Sequence, residues 1–374
     1  MKEGWIKANI GDICSLEYGK PLDIVHRVED GLYPAYGANG IFARTNKYYY
    51  DKPSIIIGRK GTAGAITLTE EKFYPLDVTY YVVFDKNKYD LKFLYYLFLT
   101  KNIPSLAKGV KPGINRNDVY SLSINYPPTL SEQQRIVEIL DTAFAKIDTV
   151  KQNAERNLIN AKELFQSALD FELLPKNKWE EKKLSEICNL ITDGTHSTPK
   201  YTEKGVPFLS VKNLTNGFID FSETRFISEE EHKFLTKRCK PEQEDILYTK
   251  IGTTGIAQVI DTDKEFSIFV SVALLKVKRD IIYNYYLRHA LNAPKAREQA
   301  RKRTRGTANK NLVITDIKEI TVPVPPISEQ QQIVSKLDAL SAKCKELENN
   351  YLKTINDCDE LKKAILAKAF NGEL

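Results

Sequence analysis

Basic side chains set beside glycine, threonine and asparagine are the residues whose chemistry stands out in this chain. Lys295 to Lys310 holds seven positive residues (Lys295, Arg297, Arg301, Lys302, Arg303, Arg305 and Lys310) against one acid, Glu298, and includes Gly306-Thr307. Such a run can grip phosphates through charge, with an affinity that falls as salt rises. It can equally be the solvated face of a helix at a domain edge. The corresponding stretch in the first half, Lys108-Gly-Val-Lys111-Pro-Gly-Ile-Asn115-Arg116, is less charged. That difference predicts another balance of phosphate and base contacts. Arg59-Lys60-Gly61-Thr62 and Lys250-Ile251-Gly252-Thr253 each place a basic residue beside a Gly-Thr turn after a strand. Glycine permits close backbone approach, and Arg or Lys can donate to phosphate or guanine; an ordinary hairpin turn is the plain alternative. Thr192-Asp193-Gly194-Thr195-His196, followed by Lys200, forms a polar loop in which His196 can touch a base edge or a phosphate. Asn39 can read adenine, although turn chemistry alone explains it, and Tyr48-Tyr49-Tyr50 is more simply a strand face.

Catalytic constellations are missing from the pattern. A methyltransferase needs a cofactor loop and an Asn/Asp-Pro-Pro-aromatic motif. Asn125-Tyr126-Pro127-Pro128 has similar letters in the wrong order and reads as a linker. A metal-dependent nuclease needs clustered carboxylates with a lysine, and Glu70-Glu71-Lys72 is the sort of triplet that a chain 28% charged yields by chance. Neither Gly-Thr turn is a P-loop, since GxxxxGK[ST] is absent. Four scattered histidines give neither a triad nor a zinc pattern, and no cysteine pair has CxxC spacing. No cofactor and no metal site are therefore expected.

Composition narrows the class further. A length of 374 residues predicts about two domains. With 42% apolar residues the chain can build a core. The net charge of +6 permits a nucleic-acid partner without demanding one. The start, Met1 to Ile10, has no apolar stretch of signal-peptide type. The most apolar run, Leu91 to Leu99, is about half a membrane span. Five cysteines are not a disulfide framework. A reduced, cytoplasmic protein is expected, with no membrane partner.

An internal repeat supplies the elements that must position these residues. Ser131-Glu-Gln-Gln-Arg-Ile-Val137 recurs as Ser328-Glu-Gln-Gln-Gln-Ile-Val334, and both copies follow proline pairs, Pro127-Pro128 and Pro325-Pro326. Weaker echoes flank them: Trp5 and Trp179, the segments ending at Cys14 and Cys188, Gly61-Thr-Ala-Gly64 and Gly252-Thr-Thr-Gly255, Asn115-Arg-Asn117 and Asn309-Lys-Asn311. Ser131 and Ser328 are expected as N-caps, with Gln134 and Gln331 completing capping boxes. Apolar residues then run at heptad spacing, Ile136 to Ala168 in one copy and Ile333 to Ile365 in the other. That predicts two helices of about 42 residues, each about 63 Å long, paired in an antiparallel coiled coil. Between them, Ser54–Ile57, Tyr80–Phe84, Asp245–Tyr248 and Val270–Leu275 read as strands. Leu91–Leu99 and Tyr283–Ala290 read as short helices.

The order of two variable domains and two SEQQ-led helices resembles the DNA-specificity subunit of type I restriction-modification systems, over essentially the whole chain. The carrying motif is Pro-Pro-x-x-Ser-Glu-Gln-Gln and its repeat, supported by Gly58–Gly64, Thr192–His196 and the Asn-basic-Asn stretches. The resemblance implies an α/β (α+β) fold with a pseudo-twofold repeat. Residues 1–129 and 176–326 would be target-recognition domains, and 130–175 and 327–374 the central and C-terminal coiled-coil helices. It implies a non-catalytic subunit that reads an asymmetric, bipartite site on double-stranded DNA. That subunit would dock two adenine-methylating modification subunits, with restriction subunits outside. The DNA-contact candidates are then Arg59, Lys60, Thr62, Lys108, Lys111, Arg116, Thr195, His196, Lys200, Lys250, Thr253, Arg301, Lys302, Arg303, Arg305 and Lys310. The competing expectation is a coiled-coil scaffold joining two protein- or ligand-binding domains.

Overall fold

The computed structural model describes residues 4–174, 179–306 and 310–374. The chain divides into two units, Met1–Glu155 with Leu352–Leu374, and Arg156–Tyr351. Each long helix therefore gives one part to each unit.

In the first unit a four-stranded antiparallel sheet runs in the order Cys14–Tyr18, Thr79–Phe84, Ser54–Gly58, Ile66–Thr69. Ser54–Gly58 is buried along its length, as a continuous apolar run requires. A three-stranded sheet orders Gly40–Thr45, Tyr33–Gly37 and Tyr74–Pro75, the last pairing parallel. Ile6–Asn9 pairs with Ser123–Tyr126 and brings the two ends of the domain together. Helix Leu91–Leu99 is capped by Asp90, whose carboxylate accepts from the Phe93 amide at 2.9 Å. It buries Phe93, Leu94, Leu97 and Phe98. The same core takes in Ile136, Leu140, Ala369 and Phe370 from the two long helices.

The second unit repeats this topology. Its main sheet orders Cys188–Asp193, Val272–Val277, Ile246–Thr249 and Ala257–Val259. Its second sheet orders Tyr201–Thr202, Arg225–Ile227, Val206–Leu209 and Ser267–Ile268, again with a parallel last pair. Glu180–Lys183 pairs with Thr321–Val324. Helix Asn284–Asn292 matches Leu91–Leu99, and the basic run forms its own helix, Pro294–Arg303. The added helix Glu229–Thr236 accounts for part of the greater length.

The long helices run Leu130–Glu172 and Ile327–Asn371, 43 and 45 residues. Within the first unit Lys151 binds Asp359 at 2.6 Å, Lys362 binds Asp148, and Arg135 donates to the Leu374 carbonyl. Residue numbers rise along one helix as they fall along the other, so the pairing is antiparallel. Lys336 and Glu172, 3.7 Å apart, follow the same sense within the second unit. Leu140, Ile147, Ala154 and Ala161 recur at sevens and are buried, as are Leu337, Cys344 and Cys358. The other apolar row is mixed: Ile136 and Ile333 are buried, whereas Val150, Leu347 and Leu361 are exposed.

The expected capping boxes do not form. The Thr129 and Pro326 carbonyls accept from the Gln133 and Gln330 amides, at 3.2 and 3.0 Å. The helices thus start before Ser131 and Ser328, and Gln134 and Gln331 lie exposed. Gln133 and Gln330, both fully buried, carry the motif's function instead. The Gln133 amide oxygen accepts from the Asp90 N–H at 2.8 Å, and its nitrogen donates to the Lys88 and Pro127 carbonyls. Gln330 repeats this with the Tyr283 N–H and the Ile281 and Pro325 carbonyls. The two glutamines fasten each long helix to the backbone of its own domain.

Candidate nucleic-acid interface

A shared backbone frame places the candidate residues. After the buried central strand, the Arg59 amide donates to Val78 and its carbonyl accepts from Ile114. Lys250 does the same with Ser271 and Leu312. Both chains then turn through a glycine at φ +81°, Gly61 and Gly252, which L side chains rarely adopt. The turns close by Gly64 N–H to Gly58 and Gly255 N–H to Thr249, at 2.7 and 2.9 Å. Lys60, Thr62 and Thr253 stand exposed on these turns.

Against each turn lies the basic segment that precedes the next long helix. In the first unit Lys60 and Lys108 both bridge to Gly113. In the second, Ile251 and Arg305 bridge to Asn311, and Gly252 donates to the Lys310 carbonyl at 2.9 Å. Residues far apart in sequence thus meet in each unit: Arg59, Lys60, Lys108 and Arg116 in one, Lys250, Thr253, Arg305 and Lys310 in the other. Thr307 to Asn309 lie outside the described residues.

The basic helix is less bare than its letters suggest. Arg301 binds Glu298 through two bonds of 2.6 and 2.7 Å, Lys295 binds Glu181, and Arg305 meets Asp316 at 3.2 Å. Lys302 lies 3.7 Å from Glu298, and Arg303 donates to the Gln299 and Glu319 carbonyls. These side chains still sit at the surface, with Arg301, Lys302 and Arg305 70–75% exposed. Surface pairs of this kind are worth little and can exchange a carboxylate for a phosphate. Lys108 is in the same position, 77% exposed and 2.9 Å from Asp118. Lys111 and Lys200 are exposed.

Lys250 departs from the expectation that its ammonium faces outward. Its side chain is 5% exposed and lies 3.2 Å from Asp193, itself 6% exposed. Asp193 also accepts from Arg238 at 2.6 Å and faces the His196 imidazole at 3.2 Å. Burial alone would push the Asp193 carboxyl up. The hydrogen bond and charge of Lys250, then those of His196, outweigh it and hold the group below its ordinary value. Arg238 and His196 are 56% and 65% exposed, so their outer nitrogens stay accessible. Thr195 is half-buried, its amide donating to the Ile268 carbonyl.

The first unit builds the corresponding place from an aromatic ring. Tyr18 ends its strand opposite Tyr80, as Asp193 ends its strand opposite Ala273. The amides of the following glycines, Gly19 and Gly194, donate to Thr79 and Val272. A bulge between Cys188 and Leu190 absorbs the one-residue difference. The guanidinium carbons of Arg59 and Arg116 lie 5.0 and 5.2 Å from the Tyr18 ring centre. Cation–π contacts of this kind contribute about 0.5–2 kcal/mol each. Tyr80 stacks edge-on at 5.1 Å, and its hydroxyl donates to the Ile114 carbonyl. Arg59 also donates to the Asp77 carbonyl at 3.1 Å.

Tyr18 and Arg238 were not singled out from the sequence. Tyr18 was legible in principle, because it occupies the place of Asp193 in the repeat. Arg238 was not, because it follows a helix that the first domain lacks. Among the described residues no group of His, Cys, Asp and Glu is arranged to hold a metal ion. No described helix is long and apolar enough to cross a membrane. Cys188 is buried and Cys14 half-buried, and burial pushes both thiols up to about 12, so neither is poised as a nucleophile.

Comparison with known proteins agrees with this duplicated architecture. The chain is 26% identical to the Escherichia coli type I restriction enzyme EcoBI specificity subunit, over 95% of this chain and 80% of that one. It is 24% identical to the EcoKI specificity subunit of strain K12, over 100% and 90%. Among solved structures, a chain from work on complex assembly and conformational transition of the type I R-M system superposes with a TM-score of 0.79. That match has 18% identity and covers 100% of this chain and 99% of that one. The HsdS subunit of Thermoanaerobacter tengcongensis gives 0.60 at 18% identity, covering 100% and 98%. The family model described as type I restriction modification DNA specificity domain matches residues 2–159 and 176–357, so the chain belongs to that family, as a type I restriction enzyme specificity subunit.

Proposed function

We propose that the chain is the non-catalytic subunit that gives a cytoplasmic type I enzyme its target, reading an asymmetric, bipartite site on double-stranded DNA. The observation that carries this is one topology built twice. In each unit a Gly-Thr turn lies beside a basic segment, and the side chains differ between the copies. Two domains of one fold present comparable surfaces, while different side chains select different base edges. Exposed arginines and lysines of both units contact the phosphates.

The long helices are the docking surface for two modification subunits, with restriction subunits added outside. Support comes from the second apolar row, where Val150, Leu164, Leu347 and Leu361 are 38–50% exposed at heptad spacing. The methyl transfer and its cofactor then belong to the modification subunits.

The test is mapping of N6-methyladenine in DNA from cells that express this chain with its modification subunits. Methylation at a split motif is expected, with one half altered when residues 1–129 are exchanged for those of another specificity subunit. Assembly of an intact complex that methylates no defined motif would overturn the proposal.

A further inference from the structure

The two units differ in chemistry at one shared backbone position. Tyr18 and Asp193 end equivalent strands, precede equivalent glycines, and stand beside the equivalent residues Arg59 and Lys250. A post needed only for folding has no reason to be an aromatic ring in one copy and a carboxylate in the other. Both side chains hold exposed or half-exposed cations at the edge that carries the Gly-Thr turn. In the first unit those cations are Arg59 and Arg116, lying over the ring. In the second the cation is Arg238, with the His196 imidazole beside it, both bound to a carboxylate that Lys250 neutralises from the buried side.

We propose that Tyr18 and Asp193 determine what each domain reads, as positioning residues: Tyr18 presents Arg59 and Arg116 to one half-site, and Asp193 presents Arg238 and His196 to the other. This inference rests on the recognition role proposed above and adds the groups that carry it. Asp193 is too buried to meet a base itself. Arg238 donates to Asp193 through Nη2 and to the Gly194 carbonyl through Nη1 at 3.5 Å, and the remaining three of its five N–H donors can meet an acceptor pair such as guanine O6 and N7. On Tyr18 the two guanidinium groups lie over a ring, a contact that uses none of their N–H donors. An arginine held in place loses less freedom on binding than one on an open surface.

The test uses the complex with its modification subunits and a library of duplexes randomised over both half-sites, with bound sequences read out. Tyr18→Leu should cut base discrimination about tenfold at one or two positions of a single half-site. Tyr18→Phe, which keeps the ring, should preserve it. Arg238→Gln should do the same as Tyr18→Leu in the other half-site. Arg238 is preferred to Asp193 for this purpose, because its loss leaves the buried Lys250 paired. Two outcomes would overturn the inference while sparing the recognition role: variants that keep every base preference of the parent, or variants that bind all duplexes more weakly with preferences unchanged. If the parent complex itself selects no split motif, the recognition role falls before any variant is compared, and this inference with it.

Discussion

An ammonium group 5% exposed is tolerable only beside a carboxylate, and Lys250 has Asp193 at 3.2 Å. Removing one partner leaves the other charged and buried. Asp193→Asn should therefore cost about 3–5 kcal/mol in chemical unfolding of the chain, whereas Asp193→Asn combined with Lys250→Met should cost clearly less than the two single changes added. Because the Asp193 carboxyl is held below its ordinary value, its contribution is present above about pH 4 and lost as pH falls through the native value. His289 acts in a different window. Burial first, then the charge of Arg288, push its imidazole down to about 4, against the pull of Asp338 at 2.9 Å. The unfolded chain binds that proton near pH 6.5, so stability should fall by about 3 kcal/mol between pH 6.5 and 4. His289→Gln should flatten that part of an unfolding profile measured against pH. None of this was visible in the sequence. A basic letter beside a glycine shows that Lys250 carries charge, but its burial depends on a carboxylate 57 positions away.

At the scale of elements, the repeat was readable because its spacing is a covalent fact. Heptads at Leu140, Ile147, Ala154 and Ala161 dictate a buried stripe wherever the helix finds a partner. The four strands read from apolar runs lie within one or two residues of their observed positions. What the pattern could not show was which glutamine of Ser-Glu-Gln-Gln works. A capping box and a buried side-chain clamp use nearly the same letters, and only the position of the helix start, at Thr129 and Pro326, decides between them. Gln133→Leu and Gln330→Leu each delete three hydrogen bonds and leave a half-buried main-chain amide and two carbonyls without them. Each should destabilise the chain by about 2–4 kcal/mol in denaturant titration. The small residues of the seam make the converse prediction. Ala154→Leu adds three carbons where the residue is 4% exposed, and should cost about 1–3 kcal/mol in the same titration.

Across the whole molecule the charge of +6 is small, so binding depends on where cations gather rather than on their sum. Helix Pro294–Arg303 and the residues just after it gather the most, and Arg301, Lys302 and Arg305 are held loosely by acids at the surface. If Arg301, Lys302 and Arg305 reach phosphates, changing all three to Gln should flatten the plot of log affinity against log salt by up to about 3. The preferred bases should stay the same, which a binding titration on matched and mismatched duplexes would show. Residues that choose bases should behave in the opposite way, changing the preferred sequence with little effect on the salt slope.

Every partner of Gln133 and Gln330 is a main-chain N–H or carbonyl. The joint therefore inspects only the path of the backbone and is blind to the side chains that follow it. A socket of that kind tolerates almost any rewriting of the part plugged into it, provided the plug keeps its outline. Evolution can then rewrite the surface of one globular part while the frame that holds it stays as it was.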